Sequence, residues 1–465
     1  LKSSPVMGGD YLFDLYFHPK PILRVVNTSL WQGNQKITYR KSISSNDSFD
    51  VAIIGAGFSG LWSAYHLKQI QPELKIAIFE AEYVGFGASG RNGGWASAEY
   101  PTSSQRVIRE NGIESYHDLR GAITSAIDEI GQIAKQHNWQ IDYAKGGSLL
   151  FARNLAQLKR ISSVQDDEHK FLGKEQTQEV VNIPSAIGSL FTPHCAALNP
   201  FKLARSLAEQ LEKLGVKIFE QSRVDEILDK RLVVNGFEVT CQISIRATEA
   251  FTPRKWMGNK QIPIYSLMVA TEPLTDSVMK ELRNPQRATL QEGCHLITYA
   301  QFTSDNRVAL GGRGVRYKLF SRLSERSEID NRMHKALERR VKSWFPQLKE
   351  TQFEYRWGGA VALTRRWQSF LNYDRTTGQA QIGGYVGDGV TLSYLVAKTL
   401  AMTISDQKIP NLPFVNQRIG NWEIEPIRYL AINAGFKATV AADYEERLTG
   451  RPSLIALMVD PLINR

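Results

Sequence analysis

The stretch from Asp50 to Trp95, DVAIIGAGFSGLWSAYHLKQIQPELKIAIFEAEYVGFGASGRNGGW, constrains this chain more than any other. Residues 51–54 are a short apolar, β-branched run and predict a fully buried strand. Gly55, Ala56, Gly57, Phe58, Ser59 and Gly60 follow at once. Residues 61–71 then carry apolar positions at helical spacing with no Gly or Pro. Pro72 and Glu73 mark a turn, and residues 75–79 predict a second strand that ends on Glu80. Strand, glycine-rich turn, helix, strand and acid at this spacing fit one βαβ unit. Gly55 permits the tight turn, Gly57 lets backbone approach a pyrophosphate, and Gly60 lets helix and strand pack closely. The helix N-terminus offers N–H groups and partial positive charge to phosphates, while Glu80 can accept hydrogen bonds from ribose hydroxyls.

This motif alone leaves FAD and NAD open. The next loop narrows the choice. Gly85, Gly87, Gly90, Gly93 and Gly94 let residues 84–95 pass close to a flat, bulky ligand, and Ala88, Ser89, Arg91 and Asn92 lie among them. Together the two segments resemble the FAD-dependent amine and amino-acid oxidoreductases of the D-amino-acid oxidase superfamily, which includes glycine and sarcosine oxidases. The wording GASGRNGG is most like the γ-glutamylputrescine oxidoreductase branch. The resemblance implies that the first unit binds the ADP half of FAD. It also implies that the second loop runs past the pyrophosphate and the isoalloxazine ring.

Composition sets outer bounds. The 465 residues, 42% apolar and 22% charged, suit a globular protein of more than one domain. No run of 18 apolar residues predicts a membrane-spanning helix, and residues 1–30 hold no signal-peptide core. The chain begins at Leu1 rather than Met, which leaves room for sequence upstream. Cys195, Cys241 and Cys294 are far apart, so a metal site or disulfide framework is not expected and a cytoplasmic location fits. The net charge of +10 suits anionic substrates or peripheral contact with membrane lipids. No nucleic-acid motif accompanies it.

Along the chain, residues 1–49 predict an N-terminal arm that packs through Phe13, Tyr16, Phe17, Trp31 and Tyr39. Residues 103–139 predict one or two amphipathic helices, 142–151 a strand pair about a Gly-Gly turn, and 155–172 a helix. Residues 201–214 predict a helix closed by Gly215, followed by strands at 216–221 and 224–228. The resemblance places the Val224 backbone at adenine. Asn235-Gly236 predicts a hairpin turn. Ala247 and Thr248 then match a segment of the family, which usually continues with Gly or Asn where this chain has Glu249. Further strands are expected at 262–273, 290–300 and 307–317, with a helix at 324–344. Residues 355–359, ending on Gly359, begin a return to the cofactor unit. The expected fold is α/β: a discontinuous Rossmann-like FAD-binding domain (50–100, 195–255, 355–405) with an inserted antiparallel-sheet α+β substrate domain (101–194, 256–354). Residues 406–465 form a helical C-terminal extension.

The second specific motif is the closing turn, in which Gly384, Tyr385, Gly387, Asp388, Gly389, Val390 and Thr391 lead from strand to helix. A helix N-terminus there would stabilise an anionic reduced flavin. The resemblance implies that the turn cradles the N1–C2=O edge and the ribityl chain, with Asp388 where the family often has His. No Cys or His lies in 87–94 or 357–391, so the FAD is expected to be non-covalent. Hydride would pass from the carbon beside an amine nitrogen to flavin N5, so no catalytic triad is required. Tyr299 and Arg313 occupy positions resembling those that meet substrate in glycine oxidase-like enzymes, and Arg313 suits a carboxylate or phosphonate. Trp95 either covers a ring face or packs in the core, and Tyr385 of the closing turn is a further candidate for substrate contact. Arg365, Arg366 and Trp367 form either an anion site or a solvated charged surface. Three functions remain open at this point. One is oxidation of a small amine to an imine, then hydrolysed, with oxygen, a quinone or a carrier protein as acceptor. Another is a flavin dehydrogenase of a hydroxy acid or polyol phosphate that reduces a membrane quinone. The third is a non-catalytic flavoprotein assembly factor.

Overall fold

The computed structural model describes residues 28–164, 168–313 and 317–463. Phe13, Tyr16 and Phe17 of the expected arm lie outside the described residues. The apolar run at the start of the motif becomes the strand Asp47–Ile54, flanked by parallel strands Ile76–Phe79 and Phe237–Arg246. Across the sheet the order is Phe370–Asp374, Gln379–Gly383, Phe237–Arg246, Asp47–Ile54, Ile76–Phe79, Lys217–Phe219. Alternation sends Val51 and Ile53 to one face and Ala52 and Ile54 to the other, so both faces are buried. Helices Phe58–Ile70, Pro200–Lys213 and Gly389–Ile404 cover the first face through Trp62, Leu207 and Val396. On the second face Leu232 and Val234, from the strand Arg231–Val234 that pairs with Phe237–Arg246 in a hairpin, pack with Ala52 and Ile54. The hairpin turn holds Asn235 and Gly236 at φ 49° and 83°, as the Asn-Gly pair predicts.

A second sheet runs Phe353–Thr364, Gln261–Thr271, Val308–Arg313, Thr298–Phe302, Thr289–Glu292, Ser148–Ala152, Gly188–Thr192, Lys170–Gly173. Its pairs are antiparallel except Thr289–Glu292 with Ser148–Ala152. The helix Asn331–Trp344 lays Leu337, Val341 and Trp344 on this sheet. Each such fully buried side chain contributes about 1.5–3 kcal/mol. The expected α/β class, with a Rossmann-like unit and an inserted antiparallel sheet, is the architecture found.

Several expectations need correction. The strand Phe353–Thr364 pairs along its length with Gln261–Thr271, so the boundary expected at residue 355 falls inside the second sheet. Residues 104–136, expected in the inserted unit, form helices Ser104–Asn111 and Ile113–Gln136, separated at Gly112. Their stripe of Leu119, Ile123, Ile127 and Ile130 packs into the core of the first sheet, because that is where an apolar helix face is available. Residues 142–151 do not make a hairpin. Ala144 bridges to Ala197, and Ser148–Ala152 pairs instead with Gly188–Thr192 and Thr289–Glu292. The helix expected at 155–172 ends at Ser162, and Lys170–Gly173 is an edge strand. The C-terminal extension contains helices Ile427–Thr449 and Leu454–Ile463.

Candidate active site

At the first turn Gly55 has φ 101°, and a Cβ there would lie 2.8 Å from the Ala247 carbonyl oxygen. A Cβ on Gly60 would lie 2.0 Å from the Gly55 carbonyl oxygen, so only glycine lets the helix begin this close to the strand. Gly57 is the N-cap, with no side-chain cap and no acid in the first turn. That end of the helix therefore keeps its positive character for an anion. Ala56 N–H donates to Glu80 Oε2 at 2.7 Å and Phe58 N–H donates to Ser89 Oγ at 2.9 Å, tying the turn to the acid and to the second loop. Burial pushes the Glu80 carboxyl up to about 7, against the pull of the Ala56 and Glu82 N–H groups.

In the second loop Asn92 is a clamp. Its amide donates to Ala88 O and Ser89 O at 3.0 Å and accepts from Gly94 N–H at 2.7 Å. Arg91 lies over the Phe86 ring and pairs with Glu328 at 2.7 Å, which fastens the loop to the inserted unit. The closing turn is held to both earlier segments. Tyr385 OH shares a 2.8 Å hydrogen bond with Ser59 Oγ, and Glu249 Oε1 accepts from the N–H groups of Gly384 and Tyr385. Asp388 caps the helix Gly389–Ile404 by position but makes no side-chain cap.

Three candidate residues from different elements meet behind this turn. Trp95 and Tyr299 pack edge to face at 5.7 Å, and Tyr299 OH bonds Ser266 Oγ at 3.0 Å. The Arg313 guanidinium donates to Val386 O and stacks over Trp367. Burial lowers the Arg313 pKa from its usual value, while Asp388 and Tyr299 act in the opposite direction.

These parts border one cleft of about 2480 Å³. Gly55, Gly57, Phe58, Ser59, Glu80, Gly87, Ala88, Ser89, Arg91, Asn92, Val224 and Ala247 line it. Tyr385, Gly387, Gly389 and Val390 line it too, with Tyr385 OH against Ser59 Oγ. Ala56, Gly90, Gly93, Gly94, Gly359, Gly384, Asp388 and Thr391 are not on its wall, nor are Trp95, Tyr299 and Arg313. Gly90, Gly93 and Gly94 instead admit the Gly85 carbonyl, the Tyr299 ring and the Gln301 amide as close neighbours. The volume exceeds the roughly 300–1,000 Å³ usual for a drug-sized ligand. A dinucleotide fits it: two helix N-termini without a side-chain cap, Glu80 beside the first turn, and Glu249 Oε2 buried without a hydrogen-bond partner. Among the described residues no Cys or His lines the cleft.

Residues 50–403 match the family described as FAD dependent oxidoreductase (DAO). The chain belongs to that family. It is an FAD-dependent oxidoreductase, and the cleft is where the family's cofactor fits. Among relatives, a probable oxidoreductase, OrdL, of Haemophilus influenzae is 28% identical over 76% of this chain and 82% of its own. The gamma-glutamylputrescine oxidoreductase of Escherichia coli is 26% identical over 81% and 90%. In fold, glycine oxidase from Geobacillus kaustophilus superposes with a TM-score of 0.65 at 18% identity, covering 80% of this chain and 99% of that one.

Arg365 and Arg366 are paired surface charges in this oxidoreductase. Arg365 bonds Glu423 at 2.9 Å and lies over Trp422, and Arg366 lies 3.8 Å from Glu110. Cys195 is buried against Thr289, and burial pushes its thiol up to about 12, so it is no nucleophile. Sequence reasoning missed the tie made by Glu249 and the partner role of Glu328. Glu249 showed only as a departure from the usual Gly or Asn. Its φ of 43° explains that preference, since both of those residues enter the left-handed region readily.

Proposed function

We propose that this FAD-dependent oxidoreductase oxidises a small primary or secondary amine to an imine, which water then hydrolyses to a carbonyl compound and ammonia or a smaller amine. The substrate class is an amino acid, a γ-glutamyl-amine or an aminophosphonate. The observation that carries this reading is the placement of Tyr299, Trp95 and Arg313 directly behind the closing turn, next to the cleft. The similarity to an enzyme named for γ-glutamylputrescine supports the same class.

Non-covalent FAD supplies the hydride acceptor when bound. The chain's own residues hold, orient and shield. The helix N-termini at Gly57 and Asp388 offset phosphate charge and charge gained on reduction. Glu80 accepts from ribose hydroxyls. Arg313 orients an anionic end of the substrate, and Tyr299 and Trp95, packed edge to face behind the closing turn, back the site with apolar rings that exclude water. Oxygen or a quinone takes the electrons away. Incubating the flavin-loaded enzyme in air, with and without an added soluble quinone, with a panel of amines and the matching hydroxy acids tests the reading. It predicts carbonyl product with release of ammonia or amine from at least one amine. Product from hydroxy acids alone, or from neither class, would overturn it.

A further inference from the structure

The family match ends at residue 403, and the C-terminal helical hairpin lies beyond it. Helix Ile427–Thr449 has two unlike faces. Arg428, Ala442 and Glu446 are buried on the inner face. The outer face carries Ile427, Leu430, Val440, Tyr444 and Leu448, of which Leu430 and Leu448 are 63% and 68% exposed. In the next helix Leu454, Leu457 and Met458 are also exposed, Met458 at 77%. A single exposed leucine is ordinary, but eight large apolar residues on one two-helix unit form a patch with a use.

The hairpin's charges are sorted by face. Each acid of its first helix is engaged in hydrogen bonds. Asp443 accepts from the N–H groups of His295 and Leu296, at 2.7 and 3.0 Å. Glu446 pairs with Arg160 and with His295 Nε2. Glu445 accepts from Leu454 N–H at the start of the second helix. Arg160 already supplies the cation for the His295–Asp443–Glu446 cluster, so that group reads as an anchor rather than a metal site. The outward cations are Lys437, Arg447 and Arg451, all exposed, and among the described residues none of them forms an ion pair. Lys437 falls in the middle of the apolar stripe, seven residues from both Leu430 and Tyr444. Among the side chains described, what remains outside is apolar surface whose charges without an ion pair are the cations Lys437, Arg447 and Arg451, while the half-buried Glu445 is taken up by Ser453 and the Leu454 N–H. That combination suits a lipid surface of negative charge.

We propose that the outer face of this hairpin seats the enzyme on an anionic membrane surface, with the apolar stripe in the headgroup layer and Lys437, Arg447 and Arg451 at lipid phosphates. No spanning segment is needed, and among the described residues no helix is long and apolar enough to cross a membrane. The anchor through Arg160 and His295 keeps the seated hairpin fixed to the inserted unit.

The test is co-sedimentation of the full flavin-loaded chain with phosphatidylcholine vesicles, with and without phosphatidylglycerol. The expected result is sedimentation with the anionic vesicles only, released in about 1 M NaCl, where charges screen beyond about 3 Å. Lys437→Gln, Arg447→Gln and Arg451→Gln should each weaken binding roughly fivefold. Leu430→Glu combined with Leu448→Glu should abolish it while flavin absorbance and melting temperature stay near those of the parent. Wild-type protein that remains in solution with anionic vesicles overturns the proposal, as does equal binding by all variants. A dimer seen by light scattering that the leucine variant dissolves, without vesicle binding, would assign the face to a second copy instead.

Discussion

Glu249 Oε1 accepts the backbone N–H of Gly384 at 2.7 Å, joining the segment after the Phe237–Arg246 strand to the turn that closes the cofactor cleft. A glutamate at φ 43° carries a strain of about 1–2 kcal/mol that glycine would avoid. The paired bonds to Gly384 and Tyr385 offset that strain. Glu249→Ala keeps the strain and loses the bonds. It should cost about 1–3 kcal/mol in a urea melt and weaken FAD binding in a fluorescence titration.

The same residue sets a pH dependence. Burial pushes both Glu249 and Glu80 up to about 7. The folded, flavin-free protein therefore holds these protons more tightly than the unfolded chain. Their contribution is fully present below the ordinary carboxylate range and is lost as pH rises through about 7. Thermal melts of the flavin-free protein should fall across that window, by about 1–3 kcal/mol for each group. Glu249→Gln should flatten the fall, and an unchanged slope in that variant would assign it to other groups.

Gly60 is fixed by contact rather than by its own dihedral angles, since an added Cβ would sit 2.0 Å from the Gly55 carbonyl. Gly60→Ala should cost about 3 kcal/mol or more and strip the protein of flavin, read as lost absorbance after gel filtration.

In the proposed function, Arg313 orients an anionic end of the substrate. Arg313→Ala should raise KM at least about tenfold for a carboxylate-bearing amine and much less for its uncharged amide. Flavin content read on the same samples separates this substrate effect from loosening of the closing turn, which Arg313 holds through Val386 O. Arg313→Lys should recover only part of the loss, because a point charge does not replace a planar fork.

The βαβ unit was legible because Gly55, Gly60 and Glu80 have fixed jobs at fixed distances along the chain, so local sequence determines local geometry. The closing turn was legible for the same reason. The destination of the helix Ile113–Gln136 was not. Its stripe of Leu119, Ile123 and Ile127 says that a face is buried but not against which sheet. Phe353–Thr364 was misplaced for a like reason: strand character does not name the neighbouring strand, and Gln261–Thr271 lies far off in sequence. Gly93 looked like a ligand-loop glycine, whereas its missing side chain makes room for Tyr299. Spacing alone does not separate glycines that face a ligand from those that face protein.

The most direct test of the whole account is anaerobic titration of the flavin-loaded enzyme, followed by flavin absorbance. A γ-glutamyl-amine, amino acid or aminophosphonate should bleach the bound FAD, one substrate per flavin, while the matching hydroxy acids leave it yellow. A protein that binds no FAD, or one whose FAD is bleached by hydroxy acids and by no amine, would contradict the account.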